Sequence, residues 1–177
     1  WTMIRGVPAE QIVELDPYTH EHAQILEAIR ENDFRLIQSY LIQNRGTSFV
    51  NDIWKIDTHE AGCSMLSRAA QFDSIEVMDV LKLHGVDIHN TDEIGQQAIH
   101  YAARYCHPRA LTWLIKNGSD VSVNAHGISP LHLAIGNTRD PSLSEARVLL
   151  VIQILLQKGA NVTGRDNIIT FSTPLEL

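Results

Sequence analysis

Apolar positions along this chain come as paired helical patches divided by short polar turns. Between Gln96 and Tyr105, Ile99, Ala102 and Ala103 fall on one helical face, which predicts a first helix. His107-Pro108 restarts the helix, because proline suits a first turn whose backbone N–H has no intrahelical partner. Leu111, Trp113, Leu114 and Ile115 then give a second helix a wide apolar face, and Asn117-Gly118 ends it. The layout repeats from Gly62 to His89, where Ser64 begins a first helix, Ala69-Ala70 is its small face, and Val77, Met78, Val80 and Leu81 line a second. It repeats again from Gly127 to Thr163. There Ser129-Pro130 supplies a hydroxyl cap followed by proline, and the second helix is expected from about Ser144 to Gln157.

The spacing is regular. Gly62 and Gly95 are 33 positions apart, as are Gly85 and Gly118, and 32 separate Gly95 from Gly127. Such a period marks a stacked array in which no unit buries its apolar face alone. Gly118 to Gly159 spans 41 positions, and the excess falls in the polar stretch Asn137–Ser144, read as an inserted loop. Ile25 to Ile42 forms an earlier pair with a polar outer face, suited to capping the array. The long connection Asn44–Ala61 carries Phe49, Ile53, Trp54 and Ile56, and Trp54 is open to either a packing or a contact role. These divisions give an amino-terminal extension at 1–17 and a repeat domain at 18–177, with units at 18–46, 59–91, 92–123, 124–163 and a partial unit at 164–177. Ser172-Thr173-Pro174 starts a helix just before the end, and the chain opens on Trp1, so a piece of a larger protein is expected.

Composition narrows the chemistry. The 177 residues carry a net charge of −7 with the signs interspersed, which argues against the basic field that nucleic acid requires. No apolar run reaches the roughly 18 residues of a membrane span, and no secretory leader opens the sequence. Two separate cysteines, Cys63 and Cys106, suit a reducing, cytoplasmic setting, with nucleus or a host cytosol as alternatives. Nine histidines raise the question of a metal, but His20 and His22 have no partner at ligand spacing. Cys106-His107 is adjacency without a third orienting group, so no catalytic residue, cofactor or metal site is assigned. Trp113 reads as core. Asp57, Glu60, Asp92 and Glu93 read as a solvated acidic rim able to steer a basic partner.

The phrase Gly-Ile-Ser-Pro-Leu-His-Leu-Ala at Gly127–Ala134, with Gly-Ala-Asn-Val at Gly159–Val162, resembles the ankyrin repeat. Resemblance covers residues 18 to 177 and implies an all-α solenoid of stacked antiparallel helix pairs with β-hairpin finger loops. It implies structural roles for His100 and His132, bonding between neighbouring turns, and a helix-start role for His107. It also implies a concave face of fingers and first helices that binds a protein or peptide partner without catalysis. The groove positions it marks as exposed are Glu60, Ala61, Cys63, Gln71 and Phe72, then Glu93, Ile94, Gln96, Arg104 and Tyr105, then Ala125, His126, Ile128, Gly136 and Asn137. Phe72 and Tyr105 share a register position, so they are expected side by side as an aromatic anchor. Asp73 and Cys106 stand where the family places a glycine, and Ser67 where it places histidine. Such exchanges are expected to weaken caps by about 1 kcal/mol each. The alternative is an ankyrin arm that recruits for, or regulates, a larger enzyme, channel or bacterial effector.

Overall fold

The computed structural model describes residues 17–44, 49–51, 62–136 and 143–162. Eight helices follow one another in antiparallel pairs: α1 (Pro17–Arg30) with α2 (Phe34–Gln43), α3 (Met65–Gln71) with α4 (Ile75–Leu83), α5 (Ala98–Arg104) with α6 (Pro108–Lys116), and α7 (Pro130–Gly136) with α8 (Glu145–Gln157). A single 3-10 turn, Phe49–Asn51, stands in the first long connection, most of which lies outside the described residues. Contacts run α1–α3–α5–α7 and, separately, α2–α4–α6–α8, so the odd helices form an inner layer and the even helices an outer one.

This layering explains the composition of each helix. An inner helix has a neighbour on both sides and an outer helix behind it. In α5 every residue from Ala98 to Ala103 is buried, and in α3 every residue from Met65 to Ala70. Only small side chains permit such close approach on several sides, which is the work of Ala69-Ala70 and Ala102-Ala103. Outer helices bury one face, with Leu111 and Leu114 of α6 and Val151 and Leu155 of α8 wholly enclosed. Each such aliphatic side chain contributes roughly 1.5–3 kcal/mol of burial.

The glycines act where the helices stop. Gly85, Gly118 and Gly159 have φ of 82°, 101° and 88°, the left-handed region that ends a helix without a Cβ penalty. After each of them the next residue's N–H returns to a carbonyl one turn back: Val86 to Leu81, Ser119 to Leu114 and Ala160 to Leu155. The finger between α6 and α7 turns at His126 and Gly127, both with positive φ (49° and 90°), and pairs Ala125 with Ile128. Two successive left-handed residues make the tight hairpin turn whose twist suits antiparallel chains. Regular strands are absent among the described residues, so the fingers are turns closed by one or two backbone bonds.

Asn32, Asp73 and Cys106 have φ of 58°, 58° and 52° at the bend inside their helix pairs. Two of them do not weaken capping. The Asn32 side-chain oxygen accepts from Val77 N–H (3.2 Å), in the first turn of the next unit's outer helix. Asp73 accepts in the same way from Ala110 N–H (2.9 Å). Ser74 and His107 make no side-chain cap of their own there, so the preceding unit supplies it. The expected loss at Asp73 is thereby corrected: the polar residue that tolerates the left-handed bend also caps its neighbour.

The helix limits follow the pattern closely. Gln97 and Tyr105 flank α5 as its caps, and Ser144 precedes α8. Trp113 departs from its expected core position. It is half-buried at the junction of outer helices, and its indole N–H donates to Asp79 (2.7 Å), which anchors one edge of the ring.

Candidate functional site

The finger preceding α5 is built on a buried carboxylate. Asp92 Oδ1 accepts from Ile94 N–H (2.9 Å) and Gln96 N–H (2.7 Å), while Oδ2 accepts from the Tyr101 hydroxyl (2.6 Å). Asp92 is therefore enclosed, not part of a solvated rim, because an aspartate so placed satisfies the N–H groups of its own turn. Burial, then the bond to Asp92, push the Tyr101 phenol well above its ordinary value and keep it a donor. The turn residues Asp92-Glu93-Ile94-Gly95 and Asn124-Ala125-His126-Gly127 carried the signal: Asn124 likewise accepts from Gly127 N–H (2.5 Å).

Histidines tie the fingers to the helices. His100 Nδ1 accepts from Gln97 N–H (3.1 Å), so its proton sits on Nε2, which reaches Ile128 O (3.2 Å) in the following finger. Desolvation, opposed by those two backbone bonds, holds His100 below its ordinary pKa. His132 bonds back to Ser129 within its own turn. His107 links three elements: Nε2 donates to Gln71 O (2.9 Å) and Nδ1 accepts from the Arg147 guanidinium (2.8 Å). Its pKa is lowered by desolvation first and by the Arg147 charge against the pull of Asp73.

On this frame the expected contact residues divide. Ile94, Tyr105 and Ile128 are exposed at 41%, 37% and 40%, large apolar surfaces at finger tips and an inner-helix end. Glu93 is exposed, and its carboxylate accepts from Gly62 N–H (3.3 Å) in the previous finger. The exposed His126 ring packs over Gly95, its Nε2 lying 3.6 Å from where a Cβ there would stand, so adjoining fingers touch. Gln71 and Arg104 are half-buried, Gln71 accepting from Arg68 (2.9 Å). Gln96 is only 4% exposed and is corrected as a groove position: its amide oxygen accepts from Arg104 (3.3 Å), eight residues on. Cys63 and Ala125 are buried as well.

Phe72 and Tyr105 do not form a ring pair. Phe72 is half-buried against the core, with the Arg30 guanidinium 6.0 Å from its ring centre, so a cation from α1 covers it. Glu60, Ala61 and Asn137 lie outside the described residues. Among the described residues no group of three or more His, Cys, Asp or Glu side chains is placed to hold a metal, and no helix is long and apolar enough to cross a membrane.

With helix pairs, fingers and finger-to-helix histidines in place, the family model for ankyrin repeats (3 copies) matches residues 66–166. The chain belongs to the ankyrin-repeat family. Ankyrin repeats in general mediate protein–protein interaction and are typically non-catalytic. The chain is 32% identical over 125 residues to NF-kappa-B inhibitor delta of Mus musculus, covering 63% of this chain and 38% of that protein. It is 29% identical over 109 residues to the human transient receptor potential cation channel subfamily A member 1, covering 59% of this chain and 9% of the channel. Against the E3 ubiquitin-protein ligase hecd-1 of Caenorhabditis elegans the figures are 28% over 102 residues, 58% and 4%. The ankyrin match thus spans less than two fifths of each of these relatives.

Proposed function

We propose that this ankyrin-repeat chain is a recognition module that holds a protein or peptide partner on its concave face of fingers and inner-helix ends. Exposed Ile94, Tyr105 and Ile128 supply apolar contact area, with Glu93, Arg104 and His126 as polar neighbours and Gln71 and Phe72 at the edge. The supporting observation is that these large side chains stand exposed on a rigid base: Asp92, His100 and the finger-to-finger contacts fix the turns that carry them. Preorganised contacts lose little ordering entropy on binding. An interface of standard size would use on the order of 800 Å² of this face. The reading places the module in the cytoplasm, without catalysis and without nucleic acid as its partner.

A second reading is that the module recruits for or regulates a larger enzyme, channel or effector. It draws support from relatives such as the channel and the ligase, of which this chain matches a small share. Affinity capture with the wild-type chain and with a triple variant, Ile94→Ala, Tyr105→Ala and Ile128→Ala, tests the main reading. Partners identified by mass spectrometry should be lost from the variant, at least about tenfold, while its melting temperature stays close to wild type. Equal capture by both would move the interface off this face.

A further inference from the structure

The outer layer carries an apolar groove that plays no part in the concave-face reading. Pro108 and Trp113 of α6 lie along it, with Ile75 of α4 on one side and Leu150 and Ile154 of α8 on the other, around a cavity of about 490 Å³. That volume suits a few inserted side chains better than a flat contact. Trp113 is pinned by its bond to Asp79, so its ring offers contact area with little entropy left to lose. Leu150 is 44% exposed beside it.

Charge gives the groove a preference. Arg109 and Lys116 are the charged side chains among its lining residues, and no carboxylate is among them, in a chain whose net charge is −7. They stand at i and i+7 on α6, about two helical turns or 10 Å apart. Arg109 approaches Asp73 at 3.8 Å, yet its side chain is 66% exposed and keeps donors for a further partner. Asp79, the nearest acid on α4 in this network, is occupied by the Trp113 indole. An apolar trough closed at each end by a cation, with a span of two helical turns, matches an amphipathic helix laid into a groove. A second copy of this chain would bring the same net negative charge, which opposes close self-association.

We propose that this outer groove docks an amphipathic helical segment of a partner protein, with apolar anchors spaced i, i+3 or i+4, and i+7, and with carboxylates at its two ends. The inference is independent of the concave face and gives the module two docking surfaces on opposite layers.

Selection from a random helical-peptide display library against the wild-type chain tests it, with Leu150→Arg as the counter-screen. Groove-dependent peptides should lose about tenfold or more in affinity on Leu150→Arg. Their sequences should carry the stated apolar spacing with Asp or Glu at the ends. Lys116→Glu should weaken them further, added salt should do the same, and Tyr105→Ala should leave them unchanged. Three results would overturn the proposal: binders that all ignore Leu150→Arg and Lys116→Glu, groove-dependent peptides with basic ends, or sedimentation showing a dimer that Leu150→Arg dissolves. Both substituted residues are exposed, so melting curves should match wild type. If Leu150→Arg alone fails to fold, Lys116→Glu carries the same comparison.

Discussion

Asp73 brings two energies to one position, and they can be separated. Its φ of 58° carries a backbone cost that a glycine would lack, while its carboxylate caps α6 through Ala110 N–H. A left-handed non-glycine residue costs roughly 1–2 kcal/mol, less for Asp and Asn, and a lost cap typically about 1 kcal/mol. Asp73→Ala forfeits the cap and keeps a worse backbone strain, so it should lower stability by about 2 kcal/mol in urea unfolding. Asp73→Gly forfeits the cap but relaxes the backbone, and should fall within about 0.5 kcal/mol of wild type. If alanine and glycine were equally costly, the backbone term would be absent. If both were harmless, the inter-unit cap would contribute nothing.

Between elements, the join of α6 to α8 depends on a neutral imidazole. His107 must keep Nδ1 unprotonated to accept from Arg147, and His100 must do so to accept from Gln97 N–H. Both folded pKa values lie below the ordinary 6.5, so below that pH the unfolded chain binds more protons than the folded one. Stability from these groups is complete above pH 6.5 and is lost as pH falls through the lowered folded values. Melting temperature should therefore drop on acidification through that window. His107→Gln, which keeps an acceptor for Arg147 and a donor for Gln71 O, should reduce the drop; an unchanged acid slope would remove His107 from the account. The helix pairs, their order and the ends of α5 and α8 were legible because glycine, proline and apolar periodicity are local signals. The burial of Gln96 was not, since it depends on Arg104 folding back across a helix. Nor was the Arg30 contact that takes Phe72 from an aromatic pair, because it joins residues 42 positions apart. Trp113 fell between outer helices, where a face pattern marks a residue as inward without saying how deep.

At the scale of the molecule, stability is the sum of units and the contacts between them. Ile99 is fully buried in α5, with neighbours in both directions, whereas Leu41 is buried in the first described pair. Each change to alanine removes comparable core volume, worth about 2–5 kcal/mol. Ile99→Ala should lower hydrogen-exchange protection across α3 to α8 together. Leu41→Ala should lower it mainly in α1 and α2, because a terminal pair can open alone. Protection lost uniformly in both variants would mean the described units unfold as one body. The forward reach of Asn32 and Asp73 also gives the array a direction. A helix cap written in one unit is used by the next, so a unit lifted out by recombination leaves its own cap behind and carries one away from its neighbour. Exchange of whole repeats between such proteins should succeed only when the breakpoint falls ahead of the bend residue, within the inner helix, so that Asn32 or Asp73 travels with the outer helix it serves.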